Sequence, residues 1–594
     1  MGQDGGARKL AFEGTTPSER FPIYTRANVG EVFPDPVAPL SYSFAFVTPE
    51  GEIGTAEMGF RDAYVRMGAF EYDEFGDTPE FLGVNGGYCY LNASIMRLFG
   101  ERAPGLSAAD IDAQFFGAQP GIPPYEEAPG DVRPDLTAKL AETFGWALTT
   151  ERLDEVLADE AMVDELRAAR PDLGSMSDRE LMDRWRELTD ERYRELFGRH
   201  IYITMLATLP AGIIGSVCEA LGRPEDTLAL MAGVGDVESA APSMSMWELG
   251  RMVTTSPQLT ALFDEGVAGL AARIAAAAAA APQSDASDFQ KRFEEFLYRY
   301  GSRGPNEWEV REPTWETEPD LALAAVDRMR LSPESAAPAG RNAERAARRE
   351  ALVAEIAPML AADPEAQGQF LAACRAAPIF MAGRERTKTN AVKLIQEIRM
   401  ILREYGRRRV EAGHWDEIID YGLLTTAELE DTVEDPLAHR DLIAERRLAL
   451  EGLSRLAEPF VFVGSPPDLE EYPLRSAERV VPLTSGETLQ GLGGCPGRAR
   501  GRARVVLDSH DPSSLDPGDI LVAPITDPSW TPLFVPAAAV VVDVGAPLSH
   551  AIIVSRELGI PCVVSATGAT ARIPDGALVE VDGTSGMVTV LESP

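Results

Sequence analysis

The sequence predicts a multidomain α+β protein in which a large, mainly α-helical body precedes a small β/α domain at the C-terminus. Three observations support this fold class. The chain has 594 residues, which is too long for a single domain. Between about residues 135 and 460, apolar side chains recur at helical spacing among charged ones. From about residue 486, short β-rich runs such as "RARVVLD", "DILVAPI" and "AAAVVVDV" alternate with Pro, Gly and Asp.

The composition excludes two classes of partner. Hydrophobic residues make up 45% and charged residues 25% of the chain, as in ordinary soluble proteins. The formal net charge of −39 argues against binding to nucleic acid or to an anionic membrane, because both need a basic surface. A small anionic ligand at a local site is still compatible with this charge. No run of about 18 apolar residues and no signal-peptide core is present, so we expect no membrane span.

The cysteines indicate neither a metal site nor a disulfide framework. All five are far apart, and none has CxxC or CxxH spacing. This usage fits a reducing cytoplasm, so we expect a cytoplasmic protein with no metal ligands of its own.

The order of composition changes predicts four segments. Residues 1–20 read as a loose leader, residues 21–463 as the body, residues 464–485 as a Pro- and charge-rich linker, and residues 486–594 as the C-terminal domain. Residues up to about 130 are rich in Pro, Gly and aromatics, which predicts irregular structure with short strands and helices. Helices are predicted at 319–330, 340–361, 365–376 and 385–412, and in "DASDFQKRFEEFLYRYG" with an N-cap at Ser287 or Asp288.

One histidine lies at a position where phosphate chemistry is favoured. In "GAPLSHAIIVSRELGIPCVV" (545–564), a buried strand at 537–544 leads through a turn to a helix at 551–558. His550 therefore lies near the helix N-terminus, where free N–H groups and the helix dipole bind phosphate and keep imidazole neutral and nucleophilic. Ser549 can hold the ring or contact an attached phosphoryl group. The alternative is a capping histidine without a reactive role.

Four arginines in the same region share one face of a predicted strand, because they occur at every second residue: Arg498, Arg500, Arg502 and Arg504. They are suited to approach phosphate or to dock a partner. A solvated strand face explains them equally well.

Three strings, "GDILVAPITDPSWTPLF", "GAPLSHAIIVSRELGIPCVV" and "VEVDGTSGMVTV", resemble the phosphohistidine swivelling domain of the phosphoenolpyruvate-utilising enzymes. "GGCPGRARGRARVV" is similar to the opening strand motif of that domain. The resemblance covers about residues 486–592 and implies a small β/β/α domain in which His550 carries a covalent phosphoryl group. Ala546 departs from the usual Gly-Gly pair. Leu548 stands where relatives regulated by phosphorylation carry Thr, so that regulation is not expected.

The body resembles the middle, acceptor-binding region of the rifampicin phosphotransferases. The matching strings include "YTRANVGEVFPDPVAPLS", "YGSRGPNEWEVREPTW", "GRERTKTNAVKLIQEIR" and "YGLLTTAELED". It is also similar to the larger subunit of phenylphosphate synthase and of the hydroxyacetophenone kinases, in which a separate subunit takes ATP. Ser302 replaces the histidine usual in the antibiotic enzymes, so their way of activating the hydroxyl does not necessarily transfer.

The resemblance implies a phosphoryl donor elsewhere. No P-loop and no ATP-grasp loop is found in the sequence. We therefore expect an ATP-grasp partner subunit that binds ATP and Mg²⁺ and phosphorylates His550. The chain would then pass the group to the hydroxyl of a small aromatic acceptor. Two alternatives are a subunit of a rifamycin-type antibiotic phosphotransferase and a non-catalytic regulator that binds an aromatic ligand.

A transferred phosphoryl group is dianionic, so cations must line the acceptor site. The predicted catalytic residues are His550, Ser549, Arg303, Glu307, Arg384 and Lys388, and the predicted substrate-binding residues are Arg26, Asn28, Glu31, Asn306 and Arg386. Glu307 or Glu31 is the candidate acceptor of the phenolic proton or an anchor for an arginine. For each charged residue, a structural salt bridge is the alternative. Tyr24, Trp308 and Trp315 can stack on a ring or belong to the core. His200, in an apolar helix, is predicted to be a core or boundary residue, although a role as base stays open.

Overall fold

The structure is a computed structural model. It describes the whole chain except residues 1–9, 117–118, 120, 225, 233–240, 335–336, 338, 476–480, 508–514, 528–529 and 547–548. The helices are α1 Val29–Val32, α2 Pro39–Ala45, α3 Thr55–Met67, α4 Ala93–Arg102, α5 Ala108–Phe115, α6 Pro134–Thr149, α7 Asp154–Ala168, α8 Asp178–Glu187, α9 Tyr193–Ala220, α10 Asp226–Leu230, α11 Ala241–Thr255, α12 Pro257–Asp264, α13 Leu270–Ala280, α14 Asp285–Tyr300, α15 Pro319–Leu331, α16 Ala339–Ile356, α17 Pro364–Glu411, α18 Thr426–Glu434, α19 Arg440–Leu453, α20 Thr531–Phe534, α21 His550–Leu558 and α22 Ala569–Arg572. The strands are β1 Ile23–Thr25, β2 Leu82–Asn85, β3 Tyr88–Asn92, β4 Val461–Val463, β5 Thr488–Gln490, β6 Leu492–Cys495, β7 Arg498–Val505, β8 Ile520–Ala523, β9 Ala539–Val542, β10 Cys562–Val564, β11 Leu578–Asp582 and β12 Met587–Glu592.

The body is built around two long helices, α9 and α17, that pack against each other. The sequence pattern predicted two helices at 365–376 and 385–412, but α17 is a single helix of 48 residues with Pro378 inside it. Phe380 and Met381 are buried in the body core, and that packing holds the helix together across the proline. At Gly383 a Cβ atom would lie 2.4 Å from Leu153, so glycine permits the close approach of α7.

The helical run Asp178–Ala220 comes nearest to a membrane span. It contains an 18-residue window with a mean hydropathy of 1.8, of which 56% is buried inside the protein. Its apolar residues belong to the body core, and α9 packs on α3 and α17. This burial is typical of the core helix of a soluble protein. A five-residue π-helical segment, Leu188–Arg192, separates α8 from α9.

A small antiparallel sheet lies beside these helices, with the strand order β2-β3-β1-β4. Gly86 and Gly87 connect β2 and β3 with φ values of 59° and 87°, which suit a two-residue hairpin turn. Strand β4 returns to pair with β1 after the last helix of the body. The sheet therefore joins both ends of the body and fixes the short helix α1, which contributes to the site described below.

The two segments predicted to be loose, the leader and the linker, are shorter in the structure than the sequence predicts. Within the leader, the described residues 10–20 pack on the body: Thr15 bonds to Val84, and Ser18 bonds to Glu80. In the predicted linker, Leu474 forms a β-bridge with Leu456, and Tyr472 is buried against the Gly86 turn. Leu483 already belongs to the core of the C-terminal domain. Tyr472, Leu474 and Leu483 of the predicted linker therefore belong to the two units, and residues 476–480 lie outside the described residues.

The predicted N-cap of α14 also shifts. Ser284 caps this helix through a bond to the backbone N–H of Ser287, three residues before the predicted position. The helix therefore begins at Asp285, and Ser287 is its third residue.

The C-terminal domain has an eight-stranded sheet in the order β5-β12-β11-β7-β8-β9-β10-β6. Strands β7 to β10 run parallel, and β9 is buried throughout, as its continuous apolar sequence predicts. The predicted hairpin is confirmed as β11 and β12. Helix α21 ends at Gly559, which has φ 67°, also as predicted. The chain is thus a mixed α/β protein, mostly helical, with a C-terminal sheet region.

The C-terminal domain packs on the body through an apolar cluster. Trp530, Leu533 and Phe534, in and beside α20, share this cluster with residues of the helices α11 to α15, among them Met329, and with Trp315 of the loop before α15. This packing places the N-terminus of α21 against the body. We call it the docked arrangement.

Candidate functional site

A cavity of about 170 Å³ lies between the body and the C-terminal domain. Its walls come from α1 to α5, the strands β2 and β3, α9, α17, Trp308, the loop after β8 and the helix α21. One part of the lining is aromatic and aliphatic. The other part is polar and consists of Asn28, Glu31, His200, Thr204, Arg384, Glu385, Lys388, Asp527 and His550.

His550 is the first residue of α21 and is buried in the docked arrangement. Its Nδ1 atom lies 3.1 Å from Oγ1 of Thr526, and its Nε2 atom lies 3.1 Å from Oγ1 of Thr531. The Phe534 ring stands edge-on at 5.8 Å between centroids. Because both ring nitrogens bond to side-chain hydroxyls, the imidazole does not cap its own helix. The geometry therefore leaves the capping alternative without support.

The surroundings keep the imidazole of His550 neutral. Burial lowers the pKa of His550 well below its ordinary value, and the charges of Lys388, Arg303 and Arg384 lower it further. A neutral ring offers a lone pair at neutral pH, as a phosphoryl carrier requires. The same three cations favour a dianion attached to the ring.

Glu31 connects the body to the helix that carries His550. Its Oε2 atom accepts a hydrogen bond of 3.2 Å from the backbone N–H of His550. Burial raises the pKa of Glu31 to about 7; Asp527 adds to the rise, whereas the His550 N–H, Arg384 and Lys388 oppose it. Glu31 lines the large cavity and also a second cavity of about 10 Å³ beside Asn28 and Gln119.

Arg303, Glu307 and Lys388 form a buried ion-pair network beside the cavity. Oε1 of Glu307 lies 2.9 Å from Nη1 of Arg303 and 3.2 Å from Nζ of Lys388. Arg303 also donates to Thr389 at 2.7 Å. Glu307 is 2% exposed, and its Oε2 atom has no hydrogen-bond partner among the described residues. Glu307 thus anchors two of the predicted cations.

Asn28 and Asn306 both adopt positive φ, of 59° and 48°. Asparagine tolerates this region better than other residues with a Cβ atom. Asn28 lines the cavity, whereas Asn306 supports it from behind, since its backbone N–H donates to Asp527 at 3.4 Å.

Ser549 precedes α21 and is 1% exposed. Its Oγ atom caps nothing and has no hydrogen-bond partner in the part of the chain that the structure describes. A buried hydroxyl without a partner is costly, so this atom is suited to a group that is added to the site.

Besides Asn306, two predicted substrate-binding residues do not line the cavity, Arg26 and Arg386. The guanidinium of Arg26 bonds to Glu458 and to the carbonyls of Cys89, Phe33 and Pro34, so it ties α1 to the small sheet. Arg386 lies on another face of α17 and pairs with Glu160 of α7 at 3.1 Å. For both residues the structural alternative holds, because neither lines the cavity.

Among the aromatic candidates, Trp308 lines the cavity, whereas Tyr24 and Trp315 belong to separate apolar clusters. The arginines of β7 make local contacts. Arg498, Arg500 and Arg504 pair with Asp582, Glu580 and Asp519, and Arg502 bonds to the carbonyl of Gly576. His510 and Leu548 lie outside the described residues.

Four polar residues of the site were not predicted for it: Thr526, Asp527, Thr531 and His200. The first three follow β8, at the carboxyl end of a parallel strand, where ligands bind in open α/β sheets. Their position after a parallel strand is the sequence signal that could have identified them. His200 had been assigned to the core or its boundary. Its Nδ1 atom lies 3.1 Å from Thr387, and burial together with Arg384 and Lys388 lowers its pKa to about 3.

No group of three or more His, Cys, Asp and Glu side chains placed to hold a metal ion is found among the described residues. The polar end of the cavity is lined by two cations, Arg384 and Lys388, and by three carboxyl groups, those of Glu31, Glu385 and Asp527.

Comparisons with known proteins connect both units to phosphotransferases. The rifampicin phosphotransferase fourth domain matches residues 199–385, and the PEP-utilising enzyme mobile domain matches residues 515–586. A rifampicin phosphotransferase of Streptomyces sp is 32% identical over 62% of this chain and 41% of its own length. The prodigiosin synthesizing transferase PigC of Serratia marcescens is 25% identical over 96% of this chain and 63% of its own length.

An uncharacterized protein of Mycobacterium tuberculosis is 44% identical over 35% of this chain and 23% of its own length. This chain therefore spans less than two thirds of the length of each of these relatives.

Proposed function

This chain carries the mobile domain of the PEP-utilising enzymes and resembles the rifampicin phosphotransferases, and from that basis we propose that it transfers a phosphoryl group from His550 to a phenolic hydroxyl. The observation that carries the proposal is the position of His550. A neutral, buried imidazole faces a cavity that also presents Arg384 and Lys388.

The proposed transfer exchanges one bond to phosphorus for another. The acceptor oxygen bonds to phosphorus while the bond from phosphorus to the ring nitrogen of His550 breaks, and its electron pair returns to the ring. The hydroxyl proton passes to a base. Arg303, Arg384 and Lys388 stabilise the charge on the transferred group, and Thr526 and Thr531 orient the ring.

Glu31 is the better of the two candidate bases. Its pKa of about 7 suits proton transfer near neutral pH, and it lines the cavity beside His550. Glu307 is held by Arg303 and Lys388, so we assign it the role of anchor.

The size of the cavity favours a small acceptor over a rifamycin. A volume of about 170 Å³ is close to the ~150 Å³ of an engineered protein cavity that binds benzene. A single aromatic ring fits such a space, whereas a macrocyclic antibiotic needs several times more. The charges at the polar end argue against a purely regulatory ligand site, because apolar binding alone does not need them.

We further propose that the donor is an ATP-grasp partner. It would bind ATP and Mg²⁺ and pass the β-phosphoryl group to His550, leaving AMP and phosphate. The C-terminal domain would leave the docked arrangement to reach it. The match of residues 515–586 to the mobile domain of the PEP-utilising enzymes supports a carrier histidine that is loaded at a separate donor site.

The test uses the purified chain, ATP labelled at the β-phosphate, and the ATP-grasp protein encoded nearest to its gene. We expect acid-labile label on His550 only when both proteins are present, and transfer of that label to phenol. His550→Ala should abolish labelling. His439→Ala is the matched control, since His439 pairs with Asp431 on a helical surface of the body. Transfer that persists in His550→Ala contradicts the proposal, and turnover of a rifamycin but of no phenol favours the antibiotic alternative.

A further inference from the structure

The cavity is polar at one end and apolar at the other, and helix α9 forms the wall that connects them. His200 marks the polar end, because it bonds to Thr387 and lies in the field of Arg384 and Lys388. Tyr193 lines the cavity seven residues earlier on the same helix, which corresponds to about 10 Å along the helix axis. The ring of phenol is shorter than this distance.

The far end is made only of uncharged side chains. Every cavity-lining residue from α2 to α4, β2 and β3 in the described chain is apolar: Ala45, Ala56, Phe60, Leu82, Leu91 and Met96. Phe60 packs edge-on against Phe197 of α9 at 5.6 Å, which closes the wall. The sulfur atom of Met96 at this end is not available to a ligand, because it already accepts a hydrogen bond from the hydroxyl of Tyr64.

This asymmetry fixes the orientation of an acceptor. Its hydroxyl must face His550, so the opposite side of its ring points to the apolar end. A carboxylate there would be buried without a cation, which weakens binding strongly because the charge loses its hydration. An alkyl group there would bury apolar surface and tighten binding about fourfold per CH₂. The small volume limits the length of that group.

We propose that the acceptor is a single-ring phenol with a short, uncharged substituent opposite its hydroxyl, and that the cavity rejects phenols with an anionic group at that position. This inference rests on the proposed function for the identity of the reacting group. The selectivity itself is a property of binding.

The test measures binding of three ligands to the full chain by calorimetry, without ATP or any partner: phenol, 4-ethylphenol and 4-hydroxybenzoate. We expect 4-ethylphenol to bind about tenfold more tightly than phenol, from the two added carbons. We expect 4-hydroxybenzoate to bind at least 100-fold more weakly than 4-ethylphenol. Equal or tighter binding of 4-hydroxybenzoate overturns the inference, and so does a failure of all three to bind at millimolar concentration.

Two variants test the place of the substituent. Ala56→Leu fills the apolar end and should remove the advantage of 4-ethylphenol while phenol still binds. Leu91→Ala enlarges that end and should shift the preference towards 4-butylphenol. Leu448→Ala is the control, because Leu448 is 70% exposed on the body surface, and it should keep the wild-type order. An unchanged order in both cavity variants overturns the assignment of this end.

The binding assay separates the two proposals. If the expected order holds but no label ever moves from His550, the proposed function fails and the selectivity stands. If label moves to phenols but 4-hydroxybenzoate is accepted as well as 4-ethylphenol, the selectivity fails and the function stands.

Discussion

The backbone N–H of His550 donates a hydrogen bond of 3.2 Å to the carboxylate of Glu31, across 519 positions of sequence. A side chain of the body thus caps the helix that holds the proposed phosphoryl carrier. Ser549, at the N-cap position, makes no side-chain cap. The N-terminus of α21 therefore gains its cap from the body, and only in the docked arrangement.

Docking is expected to depend on pH through Glu31. Its pKa rises from 4.5 to about 7 when it is buried at this interface, so the docked arrangement binds a proton more tightly than an open one. Its contribution to docking is therefore full below pH 4.5 and is lost as the pH rises through 7. Distances between spin labels at Leu448→Cys and Leu507→Cys, both exposed positions, report the docked fraction once Cys374 is replaced by Ser.

Docking also lowers the pKa of His550, so the titration of His550 favours docking as the pH rises and opposes that of Glu31. Glu31→Gln retains only the His550 titration and should dock more firmly at pH 8.5 than at pH 5.5. We therefore expect the docking constant of the wild type, divided by that of Glu31→Gln, to fall more than tenfold between pH 5.5 and pH 8.5. Asp431→Asn, on the body surface, serves as the control and should keep the wild-type pH profile. A wild-type profile in Glu31→Gln would assign the titration to another group.

Glu31 is also expected to affect the transfer step itself. As a general base it contributes about 10²- to 10⁴-fold, so Glu31→Gln should lower the rate of transfer to a phenol by that factor. Labelling of His550 by its donor should be unchanged, because the carboxyl acts on the acceptor. Single-turnover transfer from the labelled protein measures this step alone.

The hydroxyls of Thr526 and Thr531 are expected to hold the ring of His550 in a reactive orientation. In the phosphorylated ring one nitrogen is bonded to phosphorus, so one of these two hydroxyls holds the other nitrogen. Replacing both threonines by Val keeps the shape but removes that hydrogen bond of about 1 kcal/mol, so transfer should fall about fivefold. Thr589→Val, on the strand β12 of the same domain, is the matched control and should keep the wild-type rate. A normal rate in the double variant would show that packing alone orients the ring.

Lys388 is expected to act through charge at the transferred group. Lys388→Met retains the stem of the side chain but removes a cation that lowers the pKa of His550, so that pKa should rise. Transfer should fall about 10²- to 10³-fold, as when one stabilising donor is lost from a transition state. Proton NMR of the imidazole and single-turnover rates provide the two readouts. A lower rate with an unchanged pKa would point to a structural role.

Glu307 is expected to stabilise the body by neutralising two buried cations. Glu307→Ala leaves Arg303 and Lys388 without their shared partner, which should lower the free energy of unfolding by about 3–5 kcal/mol. Glu434→Ala breaks an exposed pair with Arg179 and should cause no measurable change. Urea denaturation compares the two, and equal effects would show that the network is solvent-screened.

The C-terminal domain could be predicted in detail because its signals are local. A continuous apolar strand, a glycine turn and a helix closed by Gly559 are all read within the twenty residues around His550. The body was harder. The break predicted in α17 failed because Phe380 and Met381 are held by tertiary packing, which overrides the preference of Pro378.

The site could be predicted in part. Arg384, Lys388 and Glu31 do line the cavity, but Arg26 and Arg386 are chemically equivalent to Arg384 in sequence. Only the fold distinguishes an arginine that bonds to backbone carbonyls from one that faces a cavity. Thr526 and Thr531 were missed because a threonine beside a strand end has no special pattern until a histidine from another element is brought next to it.

The apolar cluster through which α20 packs on the body has a further consequence. Trp530, Leu533 and Phe534 belong to one apolar cluster with residues of α11 to α15 in the docked arrangement, and they would meet water in the proposed open arrangement. Exposure of such surface carries a positive heat capacity, and the attraction between apolar surfaces weakens on cooling. On the proposed function, the fraction of time that His550 spends away from the cavity should therefore depend on temperature, and cooling should open the docked arrangement before it unfolds either unit.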